Sequence, residues 1–319
     1  MKQKIIYFFS TLFLLGFFSC EKEVRIDIPG YEELVVVDGN IETGTAPFVL
    51  LSKTKDIYAP TDINAFLSNF ISGATITVSN GEKTIELIEI CSDNLPPGAE
   101  LYFAEYFGVS IEEIKKYKIC VYTTFDPTFV GEVGKTYSLN IQYNGQTFTS
   151  QANIPPPTPL DSVYWIDKGD VPNYGYSYAR LTDPIAVGDA YKWEVKRINK
   201  NADGEDIDLS FTKTFNPVFD DKFINGISFD FWYENPMTMK DESLDQKYRG
   251  LFKLNDTVVI KFSKMDLGVY EFLEKKYVQL SSGGNPFASP ANIPTNIKGG
   301  AIGLWGAYSP IYDTLICKP

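Results

Sequence analysis

The 319-residue chain contains no histidine. A Ser/His/Asp triad, a Cys/His nucleophile pair and the common His-based zinc sites all need an imidazole as base or ligand, so none of them is available. Cysteine is scarce, four in all. No two stand in a Cys-x-x-Cys arrangement, which removes thioredoxin-like and zinc-ribbon readings. Positive charge is also in short supply: 29 basic residues face 41 acidic ones, for a formal net charge of −12. Such a surface repels phosphate backbones, so no nucleic-acid partner is expected. After Cys20 no apolar run reaches the length of a bilayer-crossing helix. Any catalysis would fall to carboxylate, Lys, Tyr or Ser/Lys chemistry. A non-enzymatic role is the expectation, with no cofactor and no metal.

The start of the chain is its most informative stretch. Lys2 and Lys4 precede an apolar run from Ile5 to Phe18, which ends at Ser19, Cys20 and the charged residues Glu21, Lys22 and Glu23. A short basic segment, a hydrophobic segment too short to span a bilayer, and a small residue before a cysteine make a lipoprotein signal peptide over residues 1–19. Cleavage before Cys20 would leave its thiol and the new amino terminus for acylation, so a membrane partner through a lipid anchor is expected. Residues 20–30 end in Pro29-Gly30 and read as the lipidated tether.

Of the remaining cysteines, Cys91 and Cys120 share one half of the chain and Cys317 lies near its end. In an oxidising compartment Cys91 with Cys120 is the preferred disulfide, with three buried free thiols as the alternative, since spacing alone fixes no pairing.

Beyond the tether the period is that of strands. Glu33 to Val37, Phe48 to Ser52 and Ala74 to Ser79 are short runs rich in Val, Ile, Thr and Phe, bounded by turn residues. Asn80-Gly81 and Asn144-Gly145, each between two such runs, are hairpin signals. Ser110 with Glu113 makes a capping box for a short helix. Pro155-Pro-Pro-Thr-Pro159 cannot join a ladder and marks a linker over 154–160 rather than a Pro-rich recognition peptide. Strand signals resume after it, with one helix in which Tyr270, Leu273, Tyr277 and Leu280 share a face. The expected fold is mainly β: two antiparallel sandwiches, immunoglobulin-like or jelly-roll-like, over 31–153 and 161–319, with one or two short helices. Gly299 to Tyr308, with Trp305 as its packed ring, should belong to the second.

Three constellations could carry chemistry. Asn199 to Asp206 resembles half of a calcium loop, but Ser210 occupies the place of the bidentate Glu, so an acidic hairpin turn is the better reading. Asp220 and Asp221 could suggest a glycosidase pair, yet adjacent strand residues point to opposite faces. A histidine-free carboxylate hydrolase would need two acids within about 10 Å in one pocket. Tyr174, Tyr176 and Tyr178 alternate along one extended segment, and Phe231, Trp232 and Tyr233 precede a turn. Most of these rings are assigned to core, with Trp232 and Tyr233 as the outward pair. Exposed, they would suit a glycan or a protein partner.

Several phrases taken together resemble a known family. They are Leu34-Val-Val-Val-Asp-Gly39, Ile71-Ser-Gly-Ala-Thr-Ile-Thr-Val78, Gly134-Lys-Thr-Tyr-Ser-Leu139, Ile154-Pro-Pro-Pro-Thr-Pro-Leu-Asp-Ser-Val163, Asn285-Pro-Phe287 and Asn296-Ile-Lys-Gly-Gly-Ala-Ile-Gly-Leu-Trp-Gly-Ala-Tyr308. In that order, after a lipoprotein start, they resemble the Bacteroidota lipoproteins grouped as domain of unknown function 4249. The resemblance implies an outer-membrane lipoprotein at the cell surface, often encoded beside a TonB-dependent receptor, and carries over no catalytic residue. Two functions are therefore expected in order: a non-enzymatic accessory or scaffold partner of such a receptor, and a surface glycan-binding module.

Overall fold

Alternation of buried and exposed side chains builds the strands. In β1 (Val35–Glu42), Val35, Val37 and Ile41 are buried while their neighbours are not. The structure is a computed structural model and describes residues 32–55, 67–96, 98–107, 109–281 and 292–318. The signal peptide 1–19, Cys20, the tether to residue 30 and Asn285-Pro-Phe287 lie outside the described residues.

After β1 come β2 (Phe48–Lys53), β3 (Thr75–Ser79), β4 (Thr84–Glu86), β5 (Ile88–Cys91), α1 (Ala99–Phe107), α2 (Ile111–Lys116), β6 (Cys120–Thr123), β7 (Thr136–Tyr143) and β8 (Gln146–Asn153). Beyond the prolines follow β9 (Ser162–Asp167), β10 (Tyr174–Thr182), β11 (Ala190–Arg197), β12 (Thr212–Asp220), β13 (Ser228–Tyr233), α3 (Pro236–Met239), β14 (Phe252–Lys253), β15 (Thr257–Met265), α4 (Leu267–Ser281) and β16 (Ile302–Ile316). Both hairpins form. Asn144 and Gly145 have φ of 49° and 76°, as a type I′ turn requires. The Ser110–Glu113 capping box starts α2. The strand signal over Thr84 to Ile88 breaks at Leu87, where the chain leaves β3 for another sheet.

One long sheet organises the rest. Its order is β12-β11-β15-β16-β1-β2-β6-β5, and two four-stranded sheets, β4-β3-β7-β8 and one of β9, β10, β13 and β14, cover it. Odd residues of β16 enter both cores: Trp305 and Ala307 pack with Val37, Ile76, Tyr137 and Phe148, while Leu315 packs with Trp193, Ile260 and Phe252. Even residues Leu304 and Tyr308 meet Val269 and Leu273 of α4. Both short sheets therefore lie on one face of the long sheet and α4 on the other. The layering is that of β-sandwiches with few helices.

The division into two independent sandwiches at Pro155–Pro159 does not hold, and residues 33–319 form one unit. β1 pairs in parallel with β16, from Val36 opposite Ile302 to Glu42 opposite Tyr308. The tail expected in the second core completes the first: Trp305 is fully buried there and its indole N–H donates to the Tyr137 carbonyl at 2.9 Å. Glu42 of β1 and Lys261 of β15 make an ion pair at 2.7 Å across the intervening β16. The proline segment is a crossing strap anchored at both ends. Ile154 is buried in the first core, and Thr158 accepts from Lys264 Nζ at 3.1 Å beside Asp189, Tyr191 and Asp183.

Cys91 and Cys120 face each other across β5 and β6 and their sulfurs are bonded. Cys317 is a buried free thiol, and burial pushes its pKa up to about 12.

The close approach of Trp305 to β1 makes a test. A Cβ on Gly39 would sit 2.8 Å from Trp305 Cε3, so Gly39→Ala forces the ring or the strand to move. Gly39→Ala should lose about 1–3 kcal/mol by overpacking, and Trp305→Ala about 3–5 kcal/mol by leaving a cavity. Chemical denaturation followed by far-UV circular dichroism measures both; a wild-type midpoint in Trp305→Ala would contradict the shared core.

Candidate functional site

The row of tyrosines on β10 faces out of the fold, not into the core. The inward positions are Gly175, Ser177, Ala179 and Leu181, and Tyr174, Tyr176 and Tyr178 alternate with them on the solvent side. Small inward residues let β10 sit close to its neighbours. A Cβ on Gly175 would lie 2.1 Å from the Ile166 carbonyl oxygen, and Ser177 Oγ donates to the Tyr233 carbonyl at 3.1 Å. The space beneath is filled by Trp193, Phe231 and Tyr233.

Tyr178 stands directly opposite Tyr164 of β9 on one side and Trp232 of β13 on the other. The register lines up a platform of rings. Tyr164 stacks on Tyr178 at 5.5 Å between centroids, Tyr178 lies 6.4 Å from Trp232, and Trp232 lies 4.5 Å from Tyr176. Tyr174 continues the face, 4.6 Å from Tyr248. The Tyr164 hydroxyl donates to Asp230 at 3.0 Å, and burial followed by that bond raises its pKa. Trp232 is 46 % exposed. Tyr233 is not its outward companion: it turns inward, 5.4 Å from Trp193, and burial raises its hydroxyl pKa.

A cleft of about 510 Å³ opens beside this platform, where the edge strands β12 and β13 diverge. Phe219, Phe229 and Phe231 line its depth, Trp232 and Phe223 its walls, and Asp220 of β12 and Glu274 of α4 bring two carboxylates to it. Tyr270 Oη donates to Glu274 Oε1 at 2.9 Å, and burial, this bond and the Asp220 charge raise the tyrosine's pKa. Among the described residues no Lys or Arg forms an ion pair with Asp220 or Glu274.

Asp221 belongs elsewhere, buried and accepting the Gly188 and Asp189 amides at 2.6 and 2.9 Å. The adjacent Asp220–Asp221 pair is thus split between two sides of the strand, as the alternation requires. Glu274 escaped the sequence reading because its partner in the cleft lies far away along the chain; the Tyr270–Glu274 spacing on one helix face is the only local signal. The Asn199 to Asp206 loop is a self-satisfied turn, in which Asn201 Oδ1 accepts the Asp203 and Glu205 amides and Lys200 pairs with Asp206. Glu89, Cys91 and Cys120 lie within reach of a common point, but the two sulfurs are bonded to each other and offer no thiolate. Neither cysteine joins the ring platform.

Residues 21–310 match the family model described as Domain of unknown function (DUF4249). No curated protein matches the chain.

Because Trp232 lies on the outer face and Tyr233 beneath it, neighbouring substitutions should part company. Trp232→Ala is expected to keep the wild-type midpoint within about 1 kcal/mol, as surface truncations do. Tyr233→Ala, which empties a place beside Trp193, should cost about 3 kcal/mol or more. Thermal and urea unfolding of the two variants checks the order, and a larger loss in Trp232→Ala would place that ring in the core.

Proposed function

We propose that this chain, which belongs to the DUF4249 family, is a non-enzymatic binding protein of the cell envelope whose ring platform receives a saccharide. One observation carries the reading: Tyr164, Tyr178, Trp232 and Tyr176 form a contiguous patch of rings on an outward sheet face. A solvent-facing ring offers an apolar surface to the C–H faces of a sugar while its polar rim stays wet. A patch of rings spread over three neighbouring strands fits a chain of sugars better than a single small molecule.

A second reading, as accessory to a TonB-dependent receptor or another outer-membrane barrel, is favoured by the loops flanking β11 and β13. There Ile185, Val187 and Phe223 are each more than four-fifths exposed. Apolar tips of this kind are at home in a protein interface. The two readings are compatible, since an anchored protein can hold a ligand beside a pore. The anchor itself is proposed from Cys20 at the end of a lipoprotein-type signal.

Isothermal titration with a panel of soluble oligosaccharides tests the first reading. Binding is expected in the wild type and is expected to weaken by about tenfold or more in Trp232→Ala, since a stacked ring contributes about 1 kcal/mol beyond its area. The ligand should be recovered uncleaved after long incubation, and shortened chains would overturn the non-enzymatic part. Gentle detergent extraction from membranes tests the rest. The mature chain should begin at an acylated Cys20 by mass spectrometry and bring a barrel protein with it, whereas an uncleaved, unmodified start would refute the anchor.

A further inference from the structure

We infer that the cleft between β12 and β13 takes a protonated amine, and hence that the saccharide held by the platform carries an unacetylated amino sugar. The inference rests on the platform reading and deepens it. Trp232 belongs to both places: it lies 4.5 Å from Tyr176 on the platform and lines the cleft. A sugar chain lying along the rings therefore has one residue at the cleft mouth.

The cleft's chemistry selects among sugars. Its carbon surface is aromatic, and ring faces attract cations while contributing apolar contact. Asp220 and Glu274 reach it from different elements, a strand and a helix, and neither is neutralised by a Lys or Arg among the described residues. Lys222, an exposed side chain next to Phe223 in the sequence, holds its ammonium 5.3 Å from the centre of the Phe223 ring. The Phe223 wall of the cleft is thus a ring that already accepts a cation against its face. A uronic or otherwise acidic sugar would meet two like charges. A neutral or N-acetylated sugar would offer the carboxylates hydroxyl or amide hydrogen bonds only, and would forgo the charge attraction. The volume of about 510 Å³ lies in the usual range for small-ligand pockets. The excess of acidic over basic residues, 41 against 29, gives the approaching cation a favourable field.

Three ligands of the same length decide it by titration calorimetry: a β-1,4-glucosamine oligomer, its fully N-acetylated form, and a cello-oligosaccharide. The glucosamine oligomer is expected to bind at least tenfold more tightly than the other two at pH 6, and its affinity alone should fall as salt is raised. Asp220→Asn with Glu274→Gln should erase that advantage while leaving the neutral ligands within about twofold. Both positions are at the surface, and the salt dependence of the wild-type protein gives a readout independent of the variants. Equal, salt-insensitive binding of all three, lost in Trp232→Ala, would overturn the amine inference and leave the platform reading standing. Binding of none of the three, with none on the wider oligosaccharide panel, would overturn both.

Discussion

The parallel pairing of β1 with β16 is the contact on which the rest of the molecule depends. It joins the first described strand to the last, and it does so through a packed ring rather than through backbone bonds alone. Trp305 lies against the one position of β1 that has no side chain, Gly39, and is pinned at the other end by the Tyr137 carbonyl. Both neighbouring β16 halves then have fixed roles. The first continues into the core under β3, β7 and β8, and the second into the core under β9, β10 and β13. The ion pair between Glu42 and Lys261 sits where these halves meet. Partly buried pairs of this sort add little net stability but penalise wrong registers.

The local grammar of the chain was legible. Asn-Gly dipeptides gave hairpins, Ser110 and Glu113 capped a helix, and the Tyr270 to Tyr277 spacing marked α4. Each of these is decided by a handful of neighbouring residues. What escaped was decided at a distance. Gly303 to Tyr308 reads as a strand from its own residues, yet nothing in those residues says which half of the chain it joins. The Pro155–Pro159 segment reads correctly as unable to join a ladder, but a strap and a linker share that property. The helix over 99–107 was missed as well.

The site shows the same division. Alternation placed Tyr174, Tyr176 and Tyr178 on one face, while the choice of face turned on the residues between them. Gly175, Ser177 and Ala179 are too small to fill a core, and the interior beneath them is filled by Phe231 and Tyr233 from the adjoining strand β13 and by Trp193 from the long sheet. A strand whose large residues point outward reverses the usual pattern and leaves apolar area in water. It is tolerable here because the rings shield part of one another, Tyr164 stacked on Tyr178 and Tyr176 tilted against Trp232. Asp220 and Glu274 became a pair only because α4 packs against β12.

The place of β16 also bears on how such a chain comes into being. A ribosome or a narrow membrane pore presents a polypeptide from its amino end, and many domains use this order to fold piece by piece. Here the earliest strand waits for the latest: until residues 302–308 emerge, Val36 to Glu42 lack a partner along one edge, and the core beneath them lacks its largest ring. The amino-terminal half therefore cannot complete its core from its own residues alone. Closure of that core is thus a late event set by the position of residues 302–308 in the chain.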